Sequence, residues 1–125
     1  EQIRQLITAW VRAVHAGDMR TVLARHTADI VMFDVPPPER GVLGIRAYEE
    51  TWPPFFAWQA SGATFELDDL QIVAGTEVAY AYALLWCGSP DELVERPERR
   101  LRISFGLHRD DGVWVIQHEH HSFPL

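Results

Sequence analysis

The sequence predicts an α+β fold, with helices from the N-terminal end packed against one curved antiparallel sheet. Three observations carry this. A helical apolar stripe fills the opening residues, period-two alternation dominates the chain after Thr64, and proline- and glycine-rich punctuation separates the two regimes. At 125 residues the chain is expected to be one domain, 1–125, with a single core. A half-wrapped sheet of this kind leaves an open end lined by strand termini and the first helix.

Ile3, Leu6, Ile7, Trp10, Val11 and Val14 recur at the spacing of one helix face, and Gly17 ends that helix. Asp18 caps a second, short helix whose inner face is Val22 and Leu23. His15 and His26 fall near the two helix C-termini, where an imidazole meets the dipole favourably, and both are read as structural. Ala28 to Asp34 reads as the first strand, with Ile30, Met32 and Asp34 on one face. The run Val35-Pro36-Pro37-Pro38 must leave the sheet, because proline has no N–H for the ladder. Asp34 is therefore either an exposed edge residue or an acid in a pocket.

Gly41 and Gly44 bracket the return into a third helix, Ile45 to about Thr51, which Pro53-Pro54 interrupts. Trp52, Phe55, Phe56 and Trp58 follow, either as core packing of a broken helix or as the wall of a ligand cavity. Thr64 to Ala74 and Val78 to Cys87 read as strands joined by a turn at Ala74-Gly75-Thr76-Glu77. The second strand sorts by size: Val78, Tyr80, Tyr82, Leu84 and Trp86 on one face, mostly alanines on the other. Gly88 to Arg100, charged and proline-containing, reads as a loop with a solvated face. Leu101, Ile103, Phe105 and Leu107 then alternate with polar neighbours, and Asp110-Asp111-Gly112 turns the chain into its last strand.

Composition limits the partners. Hydrophobic residues make up 47% of the chain, too many for disorder, and five Trp, six Phe and three Tyr suit a ligand pocket or a subunit interface. A net charge of −7 argues against nucleic acid or an anionic membrane. All eleven basic residues are Arg, so Schiff-base chemistry on a lysine amine is excluded. The one cysteine, Cys87, cannot pair within the chain, and with no signal-peptide pattern or membrane-spanning run a cytoplasmic location is expected.

The last strand, Trp114 to Ser122, organises the rest. Strict alternation puts Trp114, Ile116, His118, His120 and Ser122 on one face, apolar at one end and titratable at the other, as the floor of a cavity. Glu119 and His121 then point the opposite way, toward a subunit contact. A two-residue Asp-Gly turn pairs Phe105 with His118 and Ile103 with His120. A three-residue turn pairs Ser104 with His118 and Arg102 with His120, which brings Arg102 into the cavity as an anion clamp. The first joins the apolar faces better.

The chain resembles the SnoaL-like or ketosteroid-isomerase-like group of the nuclear transport factor 2-like superfamily. The resemblance lies in Trp10-Val11-Arg12-Ala13-Val14-His15-Ala16-Gly17-Asp18, in Asp29-Ile30-Val31-Met32-Phe33-Asp34, and in Asp111 to Ser122. It spans almost the whole chain and implies a cone: a curved antiparallel sheet wrapped around three N-terminal helices. It specifies the fold better than the reaction, because the same cone hosts isomerases, dehydratases, cyclases, hydrolases and non-catalytic modules. The family's proton-shuttling aspartate falls on Asp34. The tyrosine of the isomerase oxyanion hole falls on Trp10, an N–H donor but no phenol, and the protonated aspartic acid falls on Ile103 or Ser104. Steroid isomerisation by that mechanism is therefore not implied. An epoxide-hydrolase arrangement lacks its second aspartate. Dehydratases and cyclases of this group pair an aspartate with a pocket histidine, which Asp34 with His118 and His120 resembles.

Three readings apply to the histidine row: hydrogen-bonded residues without chemistry, acid–base partners of Asp34, or a His-x-His chelate completed by Asp34. The expectation carried forward is a homodimer that binds a mostly apolar small molecule and, if catalytic, transfers protons without cofactor or metal. Asp34, His118 and His120 would be catalytic, and Trp10, Trp52, Phe56, Arg102 and Phe105 would touch the substrate. A non-catalytic ligand-binding or assembly module is the alternative.

Overall fold

The computed structural model describes residues 1–125. Helix α1 (Gln2–Ala16) buries Ile3, Ile7, Trp10, Val11 and Val14 of the anticipated stripe. It stops at Gly17, whose left-handed φ of 73° lets the Gly17 and Asp18 amides close back on Val14 and Ala13. Asp18 caps α2 (Met19–Leu23) by accepting from the Thr21 amide and hydroxyl. Strand β1 (His26–Phe33) keeps Ile30 and Met32 inward, and Asp34 follows at its end. His26 opens this strand with its side chain fully buried, and, as anticipated, it lies by a helix C-terminus, its Nδ1 3.0 Å from the carbonyl of Ala24, the residue that ends α2.

A short strand β2 (Val42–Leu43), absent from the sequence reading, precedes α3 (Ile45–Glu50). The two prolines do not leave an irregular segment. They occupy the first turn of a new helix, α4 (Trp52–Gln59), where a missing N–H costs nothing. Strands β3 (Thr64–Ala74) and β4 (Val78–Gly88) form the expected hairpin. The segment read as a loop contains α5 (Pro90–Glu95), started by a capping box in which Ser89 and Glu92 exchange side-chain-to-backbone bonds. Strands β5 (Leu101–Asp110) and β6 (Val113–Ser122) complete one six-stranded sheet in the order β2-β1-β6-β5-β4-β3. All neighbours are antiparallel except β1 and β6, which run parallel.

The helices fill the inner face of this sheet. There Trp10 packs edge-on against Phe65, Phe105 and Trp52, and the small face of β4 (Ala81, Ala83) lies buried. The large face, Val78, Tyr80, Tyr82 and Leu84, is exposed on the outside. The fold class read from the sequence is the fold observed.

The register of β5 with β6 follows the preferred two-residue turn as far as Leu107 and Ile116 and departs from both anticipated pairings beyond it. Asp111 and Gly112, with φ of 52° and 80°, make a two-residue turn that pairs Asp110 with Val113 and Leu107 with Ile116. Gly106 then pairs with His118, leaving Gln117 unopposed as a β-bulge. Beyond the bulge Phe105 pairs with Glu119 and Ile103 with His121. One extra residue reverses the parity of the strand, and that decides which histidines meet the core.

Candidate functional site

Because of the bulge, Trp114 and Ile116 face inward before it, and Glu119 and His121 face inward after it. His118 and His120 stand on the outer face beside the edge of Phe33, and the His118 Nδ1 donates to the Val31 carbonyl at 2.6 Å. The expected assignment of these two histidines to the cavity is thus overturned, and so is that of Glu119 and His121 to the outside. His118, His120 and Asp34 do not converge as a chelate, and no group of three or more His, Cys, Asp or Glu is arranged to hold a metal ion.

The inward groups form a continuous buried chain. Trp10 Nε1 donates to the Tyr48 hydroxyl at 3.0 Å, and that hydroxyl donates to Glu119 Oε2 at 2.9 Å. His26 Nε2 lies 2.7 Å from the same oxygen, and His121 Nε2 lies 2.9 Å from Glu119 Oε1. Both Tyr48 and Glu119 are fully buried. Burial favours the neutral acid of Glu119, but hydrogen bonds and charge from His121 and His26 outweigh it and hold the carboxyl down at about 2. Burial, and then the neighbouring Glu119 carboxylate, push the Tyr48 hydroxyl well above its usual value, so it remains a donor. Trp52 lies close enough to favour its ionised form slightly, yet Trp52 Nε1 has no hydrogen-bond partner.

His121 links this chain to a cavity. With Nε2 donating to Glu119, its Nδ1 is left 3.8 Å from Asp34 Oδ1, an ion-pair distance too long for a hydrogen bond. Asp34 Oδ1 also accepts the Val35 amide at 2.8 Å, which fixes the carboxylate at the strand end. Both line a cavity of about 340 Å³ whose other walls include Trp52, Phe55, Phe65, Leu101 and Phe123. Cys87 also lines it, but burial and the nearby Glu92 push its thiol up to about 12, which makes it a wall and not a nucleophile. Three wider depressions of about 550, 610 and 540 Å³ lie elsewhere on the surface, and none reaches Asp34 or His121.

Of the expected site residues, Asp34 and Trp52 line this cavity. Trp10 and Phe105 are buried beneath it, with the indole N–H of Trp10 engaged by Tyr48. Phe56 turns away to stack on Trp52 and abut Gly17, and Phe55 takes the wall in its place. Arg102 is exposed on the outer face, bonded to Ser122 Oγ at 3.2 Å, and cannot clamp an anion in the cavity. The residues missed were Tyr48, His26 and the inward pair Glu119 and His121. One signal existed: a lone Gly106 inside an alternating strand marks a bulge or a close approach.

Comparison with known proteins agrees with this architecture. A family model described as a SnoaL-like domain matches residues 3–125. No curated protein matches the chain. Among solved structures, an NTF2-like protein of unknown function from Pseudomonas putida KT2440 is 32% identical. It superposes with a TM-score of 0.85 over 98% of this chain and 84% of its own. A proposed ketosteroid isomerase from Shewanella frigidimarina is 17% identical, with a TM-score of 0.73 over 94% and 92% of the two chains. A proposed scytalone dehydratase from Novosphingobium aromaticivorans is 14% identical, with a TM-score of 0.69 over 99% and 83%. At these lower identities the likeness is one of fold alone.

Proposed function

Because the chain belongs to the SnoaL-like domain family, we propose that it binds a small, mostly apolar molecule bearing a carbonyl or hydroxyl and moves a proton on it without a cofactor. The observation that carries this is the meeting of Asp34 and His121 on the wall of an apolar cavity, with the far nitrogen of His121 held by buried Glu119. A carboxylate beside an oriented imidazole is a proton-transfer pair.

In this reading His121 Nδ1 takes a proton from the carbon next to a carbonyl while the electron pair moves onto the oxygen. The imidazolium so formed lies between the carboxylates of Asp34 and Glu119. It returns the proton to another carbon, which is isomerisation, or to a departing hydroxyl, which is dehydration. Trp52 contributes its ring to the cavity wall, while its N–H is buried near the Tyr48 hydroxyl. Trp10, anticipated as a second wall, lies beneath the cavity with its N–H engaged by Tyr48. The names of the fold neighbours from Shewanella and Novosphingobium belong to reactions of this class.

The test is proton exchange in heavy water, followed by NMR, on a panel of unsaturated ketones and β-hydroxy ketones. Wild-type protein should wash deuterium into at least one of them. Asp34→Asn and His121→Asn should each slow that exchange by about 10²–10⁴-fold. An unchanged rate in His121→Asn would sink the proton-transfer reading. Tight binding without exchange by the wild type would instead leave a ligand-binding module.

We also propose that the exposed face of β4 meets a second copy of this chain. Tyr80 and Tyr82 stack there at 6.4 Å, with Val73, Leu84 and Phe33 exposed on the same face. Asp69 and Arg102 flank Leu84 from the neighbouring strands, so a copy related by a two-fold axis running along β4 sets each acid against the other's base.

A further inference from the structure

His26 lies beneath the cavity, lines no part of it, and has a fully buried side chain. Its Nδ1 faces the Ala24 carbonyl at 3.0 Å, and its Nε2 faces Glu119 Oε2 at 2.7 Å. A carbonyl and a carboxylate are both acceptors. A neutral imidazole carries one N–H, so it could serve one of these contacts and would present a lone pair to the other. The Tyr48 hydroxyl, 3.1 Å from the same Nε2, offers no escape. It receives its hydrogen bond from Trp10 and has one hydrogen to give, which the carboxylate attracts at 2.9 Å.

We propose that His26 is a resident imidazolium, the fixed counter-ion of Glu119, and that this pairing leaves His121 neutral and able to accept a proton in the cavity. The charges facing Glu119 come from three elements: His26 on β1, Tyr48 on α3 and His121 on β6, with Asp34 beyond His121. No arginine pairs with Glu119, so one of the two histidines must balance it. If His121 did so, it would be protonated before substrate arrived and could not act as a base. His26 has acceptors on both sides, whereas His121 Nδ1 has only the distant Asp34, so the resident proton belongs on His26. His26 is thus a positioning residue, acting through Glu119 on the group that meets substrate. That functional half rests on the Asp34–His121 reading, whereas the charge state of His26 does not.

The experiment is long-range proton–nitrogen correlation NMR on uniformly labelled protein near pH 7.5. His26 should show two protonated ring nitrogens, and His121 one protonated Nε2 and one bare Nδ1. A neutral His26, or a doubly protonated His121, overturns the proposal. In His26→Gln the Nδ1 resonance of His121 should move from the unprotonated to the protonated range, because Glu119 has lost its first counter-ion. If it stays put, His26 does not set the state of His121. Should that variant fail to fold, Tyr48→Phe removes a neutral donor and keeps both ions. Both imidazole signatures should then persist, and a change in either would again overturn the idea. No turnover is read here, so these spectra stand or fall separately from the exchange assays on Asp34 and His121.

Discussion

Glu119 is the charged centre of the buried network, binding His26, Tyr48 and His121 at once. Glu119→Gln keeps the shape but replaces one acceptor oxygen with a donor facing other donors. Breaking a buried pair by removing one partner costs about 3–5 kcal/mol, and urea unfolding should show a loss of that order. The same residue sets an acid limit. Its folded-state titration near 2 lies below the unfolded value of roughly 4.3, so the unfolded chain binds the proton more readily. The stabilisation from Glu119 is therefore complete above about pH 4.5 and fades as the pH falls toward 2, a total of about 3 kcal/mol. Unfolding curves of wild type and Glu119→Gln should converge over that window. A gap that stays constant down to pH 2.5 would show that another group governs acid stability.

At the scale of elements, the bulge in β6 governs the site. Gln117 has no residue opposite it in the ladder, although its side-chain oxygen meets His108 Nδ1 at 3.0 Å, and the nearby Gly106 leaves room for the backbone shift. A Cβ added at Gly106 would sit 3.3 Å from the Cβ of His118, so Gly106→Ala should lower stability by about 1 kcal/mol in chemical denaturation. Deleting Gln117 removes the bulge and keeps the parity, because Glu119 and His121 still oppose the inward Phe105 and Ile103. The shortened chain should therefore keep the buried network and unfold in one cooperative transition in chemical denaturant, and a loss of cooperativity would show that the bulge itself is required. Helix α5 offers a contrast, since it has no buried residue and is held by its capping box. Ser89→Ala should cost about 1 kcal/mol locally, seen as faster amide exchange across Pro90–Glu95 with little change in the global unfolding midpoint.

For the whole molecule, the sheet divides two environments: a helix-filled inner side with the buried network, and an outer side that exposes Tyr80, Tyr82 and Val78. If a second copy covers that outer face, Tyr82→Glu should convert a dimer into a monomer in light scattering while the circular dichroism spectrum is unchanged. A wild type that is monomeric at high concentration would remove this assembly. The halves of the chain differed in how openly they declared themselves. The size-sorted faces of β4 and the stripe of α1 were legible because burial there follows an unbroken local period. For Trp52 and Asp34 the sequence offered two readings each, core or cavity wall and exposed edge or pocket acid, and only the packing placed both on the cavity.

What the sequence determined by itself is the architecture: helix stripe, proline exit, alternating strands and tight Asp-Gly turn each follow from local periodicity and backbone chemistry. What only the tertiary structure decided is the identity of the working histidine. A one-residue bulge, made possible by a glycine on the neighbouring strand, changed which side chains of β6 face inward. Packing then brought His26 and Tyr48, distant along the chain, around the single carboxylate of Glu119. No local pattern encodes either event, because parity across a bulge and the pairing of buried charges are settled between elements and not within one.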